Sequence, residues 1–220
     1  MKIRELLGEP DKKISADRFL DAFREQWKEE DPCEVTKSYS SNEDWTEFML
    51  GNVTGNQIGD VFLNRVAKRL LMTMDREWRK LDCVYYKKES CQIDGDDRTP
   101  ACLDAIIEHE NDADVEQEMY KLLLFRSPRK VLIFNDWNEY EKTSGEREEW
   151  LNFKLGELLK MGSEFEARWP EAYDTEYLFL VGNRLEEGGM PRWRYMTVRS
   201  GEFERCSRSE PGVPNDERPA

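Results

Sequence analysis

Apolar residues recur at helical spacing in several stretches of the chain, and short runs rich in β-branched and aromatic residues stand between them. Over 16–30, Phe19, Leu20, Phe23 and Trp27 fall on one side of a helix, after Ser15 as its cap. Polar residues 31–44 read as a connection. Trp45, Phe48 and Met49 predict a short helical piece, punctuated by Gly51 and Gly55. Ile58, Val61, Phe62, Val66, Leu70 and Leu71 then continue a helical stripe to about residue 74, which should pack on a sheet.

From Leu81 to Tyr86 the pattern changes to that of a strand, ended by Lys87 and Lys88. Residues 89–100, with Gly95 and Pro100, read as a polar loop. A second strand follows over 101–109; its Ala-Ile-Ile centre is apolar on both faces and so interior to a sheet. Asp114 and Gln117 have capping-box spacing, and Val115, Met119, Leu122 and Leu123 give the next helix a core face. A break at Ser127-Pro128 leads into Val131-Leu132-Ile133-Phe134, a buried strand. The pattern therefore predicts an antiparallel pair over 81–87 and 101–109, with helix 114–125 crossing to a parallel strand at 130–135.

A long helix over 145–168 carries Trp150, Leu151, Leu155, Leu158, Leu159 and Phe165 inward. Tyr177–Val181 and Trp193–Val198 form a hairpin whose loop holds Gly188 and Gly189. The expected fold class is α/β, a mixed β-sheet flanked by helices. One domain spans 1–200: the first ~40 residues are an appendage, the core lies over about 57–136, and a C-terminal helix and hairpin occupy 145–200. A polar, flexible tail is expected over 201–220.

The 220 residues are 36% charged with a net charge of −14, which excludes nonspecific adhesion to polyanions through the overall field. Any nucleic-acid partner needs a local basic patch. No stretch approaches the ~20 apolar residues of a membrane span. The start of the chain lacks the apolar core of a signal peptide, so no membrane association and a cytoplasmic location are expected. Five cysteines without a CxxC pair signal neither a disulfide framework nor a zinc knuckle; Cys83 and Cys102 read as small core residues.

Candidate chemistry lies at the end of the second strand, Ile106-Ile107-Glu108-His109-Glu110. Alternation puts Glu108 and Glu110 on one face, roughly 7 Å apart, with His109, the single histidine, on the other. Two carboxylates that close need a cation, a proton or water between them. Pairing the strands brings Asp82 to the same end, whereas Asp104 lies roughly 13 Å from Glu108 along its own strand. Asp82, Glu108 and Glu110 are the expected metal ligands. Their oxygens suit Mg²⁺ or Mn²⁺, and such an ion suits phosphodiester cleavage.

Leu81-Asp82 at the start of one strand and Glu108-His109-Glu110 at the end of the next, between helices over 58–74 and 114–125, resemble the PD-(D/E)xK nuclease superfamily. The resemblance covers about 57–136 and implies a helix, strand meander, helix, strand core and a divalent-metal-dependent nuclease, with DNA expected over RNA. Two departures stand out: Leu81 replaces the proline, and Glu110 replaces the motif lysine, as in some members. Lys121 on the following helix is the candidate substitute for that lysine; its alternative role is an ion pair with Glu118, three residues earlier.

In Arg192-Trp193-Arg194-Tyr195, alternation places Arg192 and Arg194 on one face as candidate phosphate contacts, and the aromatics on the other. Arg76, Arg79, Lys80, Lys87 and Lys88 lie around the first strand as further basic residues. Two readings stay open. One is an active nuclease; the other is a nuclease-like domain without catalysis that binds a protein partner or a second copy of itself, which the charge and the missing lysine favour. Mimicry of nucleic acid ranks below both, because long carboxylate stripes are absent from the pattern.

Overall fold

The structure, a computed structural model, describes residues 14–39, 41–51, 59–87, 103–111, 114–135, 144–169, 175–183 and 190–208. Four helices come first: α1 (Ala16–Glu29), α2 (Pro32–Ser38), α3 (Asn42–Leu50) and α4 (Phe62–Arg69). The Ser15, Asp31 and Ser41 side chains accept backbone N–H bonds at the starts of the first three, occupying donors that a helix start otherwise leaves open. There follow β1 (Thr73–Arg76), β2 (Cys83–Tyr86), β3 (Ala105–Glu110), α5 (Val115–Leu124), β4 (Arg129–Asn135), α6 (Ser144–Arg168), β5 (Glu176–Asn183), β6 (Arg192–Arg199) and α7 (Phe203–Arg208).

The strands form one six-stranded sheet in chain order. β1, β2 and β3 are an antiparallel meander, β3, β4 and β5 run parallel, and β6 returns antiparallel to β5. The strand order advances in one direction, so two crossovers of the same hand place α5 and α6 on the same face. There Ile106, Leu132, Phe179 and Val198 meet Met119, Leu122, Leu155 and Leu158. The opposite face, with Cys83, Tyr85, Ile107, Ile133 and Leu180, is covered by α1–α4. Val131–Phe134 are buried throughout, as a strand covered on both faces requires.

Several expectations change. The helical stripe to residue 74 stops at Arg69: Leu71 takes a left-handed φ of 60°, and Met72 and Met74 enter the core on an alternating β pattern. The antiparallel pair forms with shorter strands than expected, and the parallel crossover leads to β4, which contains the whole of the expected strand. Residues 101–102, Cys102 among them, and Gly188 and Gly189 lie outside the described residues. Asp114 is not the capping residue of a box; at φ −85° and ψ 36° its carboxylate makes no backbone bond to the helix and accepts instead from the Gln117 side chain.

Nor are residues 16–39 an appendage. Phe19, Phe23, Val35 and Tyr39 are buried, and Glu176 of β5 accepts the Ala16 N–H at 2.7 Å while pairing with Arg129 of β4 at 3.0 Å and Arg199 of β6 at 3.5 Å. The flexible tail expected from 201 begins instead with α7, because Phe203 is apolar enough to bury completely against Tyr177 and α6. Residues 209–220 lie outside the described residues. A Cβ on Gly162 of α6 would stand 2.5 Å from the Phe203 ring. Gly162→Ala is therefore expected to displace α7 and destabilise the protein by about 1–3 kcal/mol, read as a fall in urea midpoint; an unchanged midpoint would show that α7 adds nothing to the fold.

Between β1 and β2 the chain turns through Glu77, Arg79 and Lys80 at φ of 51°, 50° and 73°. Left-handed backbone at a non-glycine residue costs on the order of 1 kcal/mol or more. The turn is held where it meets β2: the Glu77 N–H donates to the Asp82 carbonyl at 2.9 Å.

Candidate metal centre

Three local rules bring the acidic groups together. Asp82 directly precedes β2, and β2 pairs antiparallel with β3 with Cys83 opposite Ile107, so Asp82 arrives beside the last residues of β3. Glu108 and Asp82 face α5 because their neighbours Ile107 and Cys83 face the other layer. The short link from β3 into α5 puts the first turns of that helix over the same spot, and Glu118 and Lys121, one turn apart, project onto it. The positive end of the helix dipole also favours negative charge here.

Asp82, Glu108 and Glu118 each offer a carboxylate oxygen within 4.8 Å of the others. This trio could coordinate a divalent ion. Glu118 takes the place that the strand pattern alone gave to Glu110. Glu110 is half-buried and outside the trio, yet near enough for its charge to push Asp82 upward. Sequence reading paired Glu118 with Lys121 and left it out of the acidic cluster. The signal was available in its position, four residues after the helix cap and on the buried side with Val115, Met119 and Leu122.

Lys121 joins the cluster. Its Nζ lies 3.2 Å from Glu108 Oε2 and closer still to Glu118 Oε2, so the candidate substitute lysine and the helix ion pair are the same arrangement. Burial works against its charge, but the bonds and charges of Glu118 and Glu108 outweigh this and hold the ammonium above its usual range. Glu108 is fully buried, and its Oε1 has no hydrogen-bond partner. Burial first, then the bond it shares with Glu118 and the charge of Asp82, push its carboxyl up to about 10 against the pull of Lys121. The metal-free site therefore favours the protonated form of Glu108.

Asp82 is pushed up to about 6, mainly by burial; the His109 N–H, which donates to Asp82 Oδ2 at 2.7 Å, and the charge of Lys121 pull the other way. His109 points to the opposite face as expected. Its ring lies 6.5 Å from that of Trp45, and burial lowers it to about 3, so it is neutral across the physiological range. One residue thus serves both layers: its amide holds Asp82 and its ring packs under α3.

The basic candidates divide. Arg194 is bound to Glu148 of α6 at 2.5 Å, which neutralises it, whereas Arg192 is exposed at the start of β6. Trp193 and Tyr195 are half-buried on the other face, Tyr195 beneath the Arg24 guanidinium at 4.6 Å. Lys88 lies outside the described residues.

No protein-family model matches the chain, and no curated protein matches it. Among the described residues, no helix is long and apolar enough to cross a membrane.

Proposed function

We propose that the protein is a divalent-metal-dependent nuclease of the PD-(D/E)xK type, acting on DNA in preference to RNA. The observation that carries this reading is the convergence of Asp82 at the opening of β2, Glu108 on β3 and Glu118 on α5, with ligand oxygens within 4.8 Å, inside a helix, three-strand meander, helix, strand core. The orphaned Glu108 Oε1 supports a fit to Mg²⁺ or Mn²⁺: a buried oxygen with no protein partner is stabilised by a hard cation. Asp82, Glu108 and Glu118 would hold the ion, with Glu110 beside them; when bound it would supply Lewis acidity to a phosphoryl oxygen.

The remaining chemistry belongs to the chain. Lys121, held firmly cationic, is a poor proton acceptor and acts as a fixed positive charge for a phosphate oxygen or the departing oxygen. Asp82, raised by burial in the metal-free protein, would be drawn back to its carboxylate form by the ion it holds, and so serves as a ligand rather than as the base. The His109 amide fixes one of its oxygens and so the direction of the other.

A second reading, a nuclease-like module without catalysis that binds a partner, has one observation in its favour. Lys121 is already bonded to both Glu108 and Glu118, so the cluster is held together by its own lysine without a divalent ion. Purified protein titrated with Mn²⁺ separates the two. Under the metal-centre reading, the ion binds with one-to-one stoichiometry and raises the melting temperature by mass action, and cleavage of single-stranded, duplex or RNA substrates depends on it. Absence of both binding and cleavage would leave the second reading.

A further inference from the structure

We propose that a buried, water-holding chamber on the α1–α4 side of the sheet positions the metal centre from behind, with His109 and Asn135 as its positioning residues. The inference rests on the metal-centre reading above and adds what holds two of the ligands in place. Its first support is covalent. The Glu108 backbone and the His109 N–H that holds Asp82 at 2.7 Å meet in one peptide unit, which is planar and turns as a whole. A rotation of that unit moves both carboxylates. The His109 ring, on the opposite face of β3, is the lever that sets it.

A second support is a set of polar atoms without partners in one place. His109 Nδ1 and Nε2, Trp45 Nε1 and Asn135 Nδ2 are buried with no hydrogen-bond partner among the described residues, and the three residues are at most 7% exposed. Their surroundings are tied together. The Trp45 ring of α3 lies 6.5 Å from that of His109 and 4.7 Å from that of Tyr39, whose hydroxyl donates to Asn135 Oδ1 at 3.1 Å. His109 stands opposite Ile133, so Asn135 is its diagonal neighbour on the same face of the sheet, with Cα atoms roughly 8 Å apart. Gly182 of β5 stands opposite Asn135, and a Cβ there would collide with Asn135 Oδ1. Only glycine lets the carboxamide lie in this position.

The chemistry of the four atoms identifies what joins them. An unbonded polar atom in the interior keeps its whole desolvation cost, so a group of four calls for a partner. A neutral imidazole offers one donor and one acceptor, whereas the indole and carboxamide N–H groups only donate. Water matches that set: it accepts from Trp45 and Asn135 and donates to the bare ring nitrogen, the about three bonds that a buried water typically makes. Bonded in this way the His109 ring cannot turn. The peptide that serves Glu108 and Asp82 is then fixed with it.

Two measurements test this. In the metal-free wild type, NMR cross-peaks from the Trp45 indole N–H and the His109 ring to long-lived water are expected; their absence would overturn the chamber. In calorimetry with Mn²⁺, His109→Phe keeps a ring against Trp45 without its nitrogens, and Asn135→Leu alters only the face opposite the three ligands. Each should raise the Mn²⁺ dissociation constant about tenfold or more, as loss of a group that orients metal ligands does. Combined, they should raise it by less than the product of the two effects, because both act through the same water. His109→Gln, which returns a donor and an acceptor, should recover part of what His109→Phe loses. Full Mn²⁺ affinity in either folded variant, with only the melting temperature lowered, would show a role in the fold alone and overturn the positioning while leaving the metal centre intact. A wild type that binds no Mn²⁺ would overturn the metal-centre reading, and this inference with it.

Discussion

Glu108→Gln and Asp82→Ala are each expected to lower Mn²⁺-dependent cleavage by at least about 100-fold, the upper end of what loss of a mere outer-sphere partner costs a metal site. Both side chains are anchored from behind, Glu108 by Lys121 and Asp82 by the His109 amide, so their loss should not be covered by movement of a neighbour. Glu118→Gln should follow them closely, whereas Glu110→Gln should cost less, since Glu110 stands outside the close trio. The order of the four, measured as kcat/KM in Mn²⁺ with circular dichroism to confirm folding, separates this geometry from the Glu-x-Glu site suggested by the strand alone. Equal loss at Glu110 and Glu118 would place the ion lower along β3. Unchanged cleavage in the Asp82/Glu108 double variant would place the activity elsewhere.

Without metal, the stability of the wild type should fall as pH rises from about 7 to 9. The sign follows from Glu108. Its folded value of about 10 lies above the ordinary 4.5, so the stability it contributes is complete below the ordinary value and is lost as pH rises toward the folded one. Asp82, raised from 3.8 to about 6, adds the same trend at lower pH, where His109 opposes it. The histidine is lowered from 6.5 to about 3, so its contribution grows with pH through that range and is complete above it. Above pH 7 Glu108 acts alone among the three. Its full effect is about 1.4 kcal/mol per pH unit, roughly 3–6 °C in melting temperature for a chain of this size. Glu108→Gln should flatten the curve. A divalent ion should flatten or reverse it as well, because it binds the deprotonated carboxylates and displaces a proton. A wild-type curve that is level from pH 7 to 9 in chelator would show that Glu108 is ionised in the folded state.

The sheet and its outer helix were legible because their patterns are unambiguous over short spans. Val131–Phe134 can hardly be other than a buried strand, and the break at Ser127-Pro128 separates it cleanly from α5. β1 was not legible. It is only four residues long, and Met72 and Met74 fit the tail of the preceding helical stripe until Leu71 turns the chain. The acidic site was legible at Asp82 and Glu108, because strand pairing alone brings them to one end. Exchange of Glu110 for Glu118 was not, since which carboxylate closes the trio depends on how far α5 rolls over β3, a matter of packing between Met119, Leu122 and the sheet. The role of 16–39 was hidden for a similar reason: an amphipathic helix states that it must be covered, not by what.

Glu176 decides when the first helix becomes secure. The carboxylate that accepts the Ala16 amide is 160 residues further along the chain, and Trp193, whose ring meets Phe23 at 5.0 Å, is further still. At a synthesis rate of about 5–20 residues per second, α1 emerges roughly 10–30 s before these partners exist. By then Phe23 and Trp27 have already met Trp45, Phe48 and Phe62 of α3 and α4, so the aromatic layer can gather as a unit and wait with one open side for the strands that close it.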